Sequence, residues 1–324
     1  MTTDTLRGAL DGRPLRADGL THDQPGTLST LSTHLRWVSF VVALVIGLAL
    51  GGGLSMLAPE GDARTTVAAL GQLVGSIGGY VAMLAFERRL AHPFELRGRR
   101  GLHGAWVGLA VGAVLMLVCT GVLTVAGLRV FEGTNPDVHG LGWQLLQVGL
   151  IAGVSEEIIF RGVIYRLIER GLGTWWAMAI SGVIFGAAHL ANPEGTWWGA
   201  LAIAIEAGLM FAVLYAITRN LVLMMGIHAA WNVVQGPLLG SVVSGTATEG
   251  NGLLRSHPHG PTLLSGGTFG IEASLITVVL LSVVTVVGAR WLHRHGRVVA
   301  PARVRNARAE EAEAQPIGAQ SGPV

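Results

Sequence analysis

Residues 105–127 read AWVGLAVGAVLMLVCTGVLTVAG, an uninterrupted apolar run without a charged residue. Wound as a helix with a rise of about 1.5 Å per residue, such a run crosses the roughly 30 Å hydrocarbon core of a bilayer. Seven further stretches read the same way or nearly so: about 37–57, 66–86, 143–165, 175–191, 197–218, 220–236 and 272–292. Of these, 175–191 and 220–236 are short, and 143–165 carries charge. Composition agrees with a membrane solvent. Of 324 residues, 51% are hydrophobic and 13% charged, where a soluble domain averages about a quarter charged. A soluble chain of this size needs more polar surface to cover its core. The expected fold class is all-α, a polytopic membrane protein with about eight transmembrane helices.

Arginine placement sets the expected orientation. All 22 residues of the Lys+Arg count are arginine, which with the Ala/Gly/Val bias reads as codon pressure in a GC-rich bacterial genome. The loop at 87–104 holds Arg88, Arg89, Arg97, Arg99 and Arg100, and the tail after 292 holds Arg294, Arg297, Arg303, Arg305 and Arg308. Arg166 and Arg170 follow the fourth stretch and Arg219 the sixth, whereas 58–65, 128–142 and 237–271 hold one arginine each. By the positive-inside rule, every loop agrees with eight spans and both termini in the cytoplasm of a cell inner (plasma) membrane. The boundaries that follow are an N-terminal tail over 1–36, a membrane domain over 37–292 and a C-terminal tail over 293–324. The first tail holds Asp4, Asp11, Asp18 and Asp23 with no early apolar region, so it does not read as a signal peptide. Both tails are expected to be disordered. A formal charge of +2 gives no reason to expect a nucleic-acid partner. Cys119, the one cysteine, excludes an intramolecular disulfide and a cysteine-based zinc cluster. Glycines repeat at four-residue intervals at Gly47/Gly51, Gly71/Gly75/Gly79 and Gly104/Gly108/Gly112, a spacing that lets membrane helices approach closely.

Ionisable groups inside the hydrocarbon are costly and mark functional sites by default. Here they gather in the second half of the chain. The fourth stretch contains Ser155-Glu156-Glu157-Ile158-Ile159-Phe160-Arg161, the fifth ends Phe185-Gly186-Ala187-Ala188-His189, the sixth carries Glu206, and the seventh reads His228-Ala229-Ala230-Trp231-Asn232. Glu157 and Arg161 lie four apart on one helix face, with the acid N-terminal, the favourable order for an ion pair. Glu156 points about 100° away from that face. So Glu157 has a built-in partner and Glu156 does not, which leaves Glu156 as the expected base or acid. His228 and Asn232 also share a face, and two donors presented together suit an oxyanion. Counted from the expected cytoplasmic ends, Glu156, His189 and His228 lie at depths of roughly 15, 21 and 12 Å, close enough to share one level. Glu206 has no partner on its own helix. It reads as a second acid, a water-channel residue or a hydrogen-bonded structural group.

In motif order, Glu156-Glu157-x-x-x-Arg161, Phe185-x-x-x-His189 and His228-x-x-x-Asn232 resemble the motif set of the CPBP family. That family comprises CAAX prenyl endopeptidases and bacteriocin-processing or self-immunity membrane proteins. The likeness covers a motif core at about 143–236. It implies an all-α membrane fold with an intramembrane polar cavity opening to the cytosol, and glutamate protease activity without metal or other cofactor. Carried over by position, Glu156 would activate water with help from His189, and His228 with Asn232 would form the oxyanion site. Glu157 and Arg161 would support them. The implied partners are a peptide or protein substrate in the membrane and the lipid bilayer itself. The substrate's identity is not implied.

Other classes remain open at this point. Two histidines and two glutamates are acceptable zinc ligands, but there is no H-E-x-x-H and each histidine stands on a different span. Serine and aspartic intramembrane proteases are disfavoured, because no G-x-S-G loop appears and no aspartate lies within a span. A non-catalytic immunity protein or scaffold would also carry buried polar groups, as would a proton-coupled transporter. No repeat relates the two halves of the chain, which counts against transport.

Overall fold

The computed structural model describes residues 30–59, 62–86, 94–96, 98–246 and 251–307. The N-terminal tail up to residue 29, the C-terminal tail from 308, and loop positions 87–93 and 97, with four of the arginines used for orientation (Arg88, Arg89, Arg97 and Arg308), lie outside these residues.

Eight long helices occupy the eight apolar stretches: α1 (Thr30–Ser55), α2 (Asp62–Phe86), α3 (Gly98–Val125), α4 (141–172), α5 (Thr174–Ala188), α6 (Trp197–Thr218), α7 (Leu221–Leu238) and α8 (Leu275–Arg294). Six of them (α2, α3, α5, α6, α7 and α8) are long and apolar enough to cross a membrane by length and composition. The chain is an all-α polytopic membrane protein. Of the other two, α4 carries Glu156, Glu157, Arg161 and Arg166 in its body. Many apolar side chains face outward, among them Val45, Leu50, Val74, Val114, Val183 and Val287. That is the surface a lipid solvent accepts and water does not.

Local chemistry sets the helix starts. Thr196, Asn220 and Ser274 each accept a hydrogen bond from a backbone N–H of the first turn of α6, α7 and α8, satisfying donors that a helix start otherwise leaves orphaned. Gly173, at φ +84, turns the chain between α4 and α5. Its absent side chain makes room for the Val299 carbonyl, which accepts from Thr174 N at 3.0 Å. Through that contact, Val299 N donating to Thr174 Oγ1 and Arg305 to the Arg170 carbonyl, the segment after α8 lies across the ends of α4 and α5. The same end is locked by ion pairs, Arg166 to Glu95 at 2.9 Å and Arg219 to Glu169. At the opposite end a two-stranded antiparallel sheet, β1 (Arg129–Thr134) with β2 (Leu254–Pro258), closes the bundle with an irregularity between Phe131 and Gly133.

The spaced glycines stand where helices touch. A side-chain carbon on Gly47 would lie 2.2 Å from Gly75 Cα, joining α1 to α2; on Gly108 and Gly112 it would lie 2.2 Å from the carbonyls of Leu223 and Ile227, joining α3 to α7. Gly182 and Gly208 bring α5 and α6 together in the same way. Lipid tails are as apolar as leucine, so such close backbone approach is what holds membrane helices together. Gly112→Val should therefore lower thermal stability in detergent by about 1–3 kcal/mol, the usual cost of overpacking. Gly121→Val, on the same helix but with nothing within 4 Å, should leave the melting curve unchanged.

Candidate functional site

The site starts from an irregularity in α4. The two glutamates sit on a short α-helical stretch, Gly153–Glu157, between two π-helical stretches, Leu145–Ala152 and Ile158–Tyr165. Wider i→i+5 turns are rare and collect at functional sites, because they re-aim side chains and displace carbonyls from the regular ladder. The two acids themselves, adjacent on the α-helical part, point about 100° apart. Glu157 is fully buried, while the Glu156 side chain keeps about a fifth of its surface exposed.

Glu157 is the hub. Its Oε1 accepts from Arg161 Nη1 at 2.9 Å and from His228 Nδ1 at 2.9 Å, tying α4 to α7. A carboxylate can only accept, so the His228 proton on that side resides on Nδ1. The ring therefore turns Nε2 toward Glu156, whose Oε2 lies 3.8 Å away. Arg161 is committed on every side. Beyond Glu157 it donates to the Ala207 carbonyl and, at 3.4 Å, to that of Gly208 on α6. Its guanidinium lies over the rings of Phe185 at 4.8 Å and Phe211 at 5.2 Å, an arrangement favourable to a desolvated cation. Phe211 also meets the His228 ring edge-on at 5.6 Å.

Glu156 has no such commitments. Its Oε2 is buried without a hydrogen-bond partner, as is Oε2 of Glu157. The two acids thus present one unused oxygen each beside the His228 ring. The i,i+4 pairing of Glu157 with Arg161 read from the sequence is present, and His228 joins it.

His189 and Asn232 sit one helical turn further toward the sheet end. His189 ends α5, half-buried, and its Nδ1 donates to the Phe185 carbonyl at 2.8 Å, since a carbonyl can only accept. In the neutral ring this leaves Nε2 as an acceptor. The ring lies 4.9 Å from that of Phe185, which in turn is 6.2 Å from His228, so Phe185 separates the two histidines. Asn232 donates its Nδ2 to the Val148 carbonyl at 2.8 Å, leaving one amide hydrogen for another acceptor. The structure thus brings Glu156, Glu157, Arg161 and His228 into one cluster, with His189 and Asn232 at its edge.

Two contributors escaped the sequence reading. Gln72 on α2 donates to Ser155 Oγ at 3.1 Å, and Ser155 donates to the Ile151 carbonyl at 2.7 Å. A lone amide in the apolar second stretch was the available signal. The displaced carbonyl of Val148, in the first π-helical stretch, had none. Among the described residues, no three His, Cys, Asp or Glu side chains are placed to hold a metal ion.

Removing one partner of a buried pair leaves the other charge uncompensated. Arg161→Ala should lower unfolding stability by about 3–5 kcal/mol, read as a large drop in detergent melting temperature and in yield of inserted protein. Arg161→Lys, a point charge without the planar fork, should recover only part of that loss.

No curated protein and no solved structure matches the chain. A family model does: residues 139–234 match the family described as type II CAAX prenyl endopeptidase Rce1-like, the stretch from the start of α4 to the end of the His228/Asn232 turn. That is the segment on which the three motifs resemble the CPBP set. The motif-bearing stretch 139–234 of this membrane protein is thus similar to the Rce1-like type II CAAX prenyl endopeptidases.

Proposed function

We propose that the protein is an intramembrane endopeptidase in which Glu156 activates a water molecule to attack a peptide bond, without a metal ion. The observation that carries this reading is the unequal use of two adjacent acids. Glu157 is spent on Arg161 and His228, while Glu156 keeps a buried oxygen without a partner beside the His228 ring. A general base needs that kind of availability within reach of its substrate.

In the proposed reaction, Glu156 takes a proton from water as the water oxygen bonds to the scissile carbonyl carbon. The carbonyl becomes an oxyanion, met by the remaining Asn232 amide hydrogen and by Nε2–H of His228, which acts here as the imidazolium, with Nδ1–H held by Glu157 and Nε2–H free to donate. His189 Nε2 accepts a hydrogen bond from the attacking water and helps to align it. The proton held by Glu156 passes to the leaving nitrogen as the C–N bond breaks. Glu157 sets the tilt of His228 and balances its charge, and Arg161 fixes Glu157. The substrate is proposed to be a membrane-associated or lipidated peptide or protein, entering from the cytoplasmic side of a plasma membrane in which both termini face the cytosol.

Quantitative proteomics of membrane and secreted fractions, wild type against Glu156→Gln, tests the reading in cells. Peptides whose termini depend on Glu156 are expected; a folded, inserted Glu156→Gln variant with full biological activity contradicts it. With such a peptide as substrate, Asn232→Ala should cost about 2.7–4 kcal/mol of transition-state stabilisation, the cost of one oxyanion donor. Turnover should survive strong chelators; loss restored by added zinc would instead favour a zinc hydrolase.

A further inference from the structure

A second set of buried polar groups lies outside the proposed peptidase site. Glu206, in the π-helical stretch Ala204–Met210 of α6, is 1% exposed, and neither of its carboxyl oxygens has a hydrogen-bond partner. Glu272, in the turn Ile271–Ala273 before α8, is the acid whose charge bears on it. Glu272 is well supplied with donors. Its Oε1 accepts from Ser244 N at 3.0 Å and Ser244 Oγ at 2.9 Å, and its Oε2 from Gln235 Nε2. Gln235, fully buried, gives its other hydrogen to the Val242 carbonyl at 2.6 Å, which leaves its own Oε1 buried without a partner. Gly270, at φ +127, makes the room: a side-chain carbon there would lie 2.5 Å from Glu272 Oε2 and 2.8 Å from Gln235 Nε2.

The two acids border one packed cluster: Phe269 and Ala273 on either side of Glu272 pack with Ile203 and Ala207 on either side of Glu206. Trp198 of α6 donates to the Ala273 carbonyl at 2.7 Å, and the donors there serve only Glu272. An uncompensated carboxylate in such a setting is costly, and among the described residues no basic side chain is bonded to Glu206. Of the elements packed on this stretch of α6, α4 brings Arg161, committed to Glu157 and to the Ala207 and Gly208 carbonyls. α3 brings Cys119, on which the Glu206 charge acts. α5 has no ionisable side chain before His189 at its end, and α8 has none before Arg290. What remains is the Glu206 charge, which no donor meets, the Glu272 charge being held by its own donors. The unused oxygens of Glu206 and Gln235 are hard donors that suit a proton or an alkali cation rather than a soft metal. We propose that Glu206 and Glu272 form an intramembrane site for one monovalent cation, a proton or a sodium ion, separate from the Glu156 site. Filling it stabilises the packing of α6 against α8 and the loop before α8.

The test is the melting temperature of detergent-solubilised protein across pH, in sodium chloride and in choline chloride at equal ionic strength. Ligand that binds only the folded state stabilises it by mass action, so a hundredfold range of occupancy should move the wild-type melting temperature by roughly 5 °C. A proton site gives a wild-type fall with rising pH that sodium does not reverse. A sodium site gives a fall that sodium does reverse. In either case Glu206→Gln, which carries no charge to compensate, should lose the response while melting like the filled wild type. Should that variant not accumulate, Glu206→Leu takes its place. A wild-type melting temperature indifferent to both pH and sodium overturns the proposal, as does a Glu206 variant that responds as wild type does.

Discussion

The site depends on one buried hub, the carboxylate of Glu157 held between Arg161 and His228. In a hydrocarbon solvent an isolated charge is expensive, and a pair is tolerated only when each member is fully occupied. Arg161 meets that condition with the Glu157 carboxylate, two backbone carbonyls of α6 and two aromatic faces. The consequence is mechanical as well as electrostatic. A single guanidinium joins α4 to α6 and lies over Phe185 of α5, and a single carboxylate oxygen joins α4 to α7. Four helices are registered around one point, and the His228 ring is held in one orientation by the same contact.

That arrangement explains why two neighbouring glutamates differ. The chain needs a fixed charge to register its helices, and general-base chemistry needs a carboxyl that is not already bonded. One residue cannot do both. Adjacent positions on a helix point about 100° apart, and Glu156 and Glu157 are adjacent on a regular α-helical stretch. Glu157 turns into the bundle, and Glu156 stays at its edge with an oxygen unspent. The same logic recurs at Glu206 and Glu272, where one acid takes the donors and the other is left without.

Much of this was legible in the sequence because membrane folding is governed by few rules. Apolar length marked the eight helices, and glycine spacing marked α1, α2 and α3 as close-packing helices, though not that α3 packs on α7. The Glu157–Arg161 pair followed from i,i+4 geometry alone. Contacts made through the backbone were not legible. The Asn232 bond to the Val148 carbonyl depends on a local change of helix type that leaves no residue signature, and the π-helical stretch at Val234–Leu238 shows one only in Pro237, which lacks the N–H a regular turn needs. Gln72 was overlooked because one amide in an apolar run looks incidental until Ser155 is placed beside it. The tie of His228 to Glu157, rather than a shared face with Asn232 alone, belongs to tertiary geometry that helical periodicity does not encode.

The division of labour between the two acids is tested most directly by comparing Glu156→Gln and Glu157→Gln for both melting temperature and turnover of an identified substrate. The account predicts that Glu156→Gln melts like wild type and is inactive, whereas Glu157→Gln melts substantially lower because Arg161 is left unpaired. An active Glu156→Gln, or a Glu157→Gln that is inactive yet as stable as wild type, would contradict it.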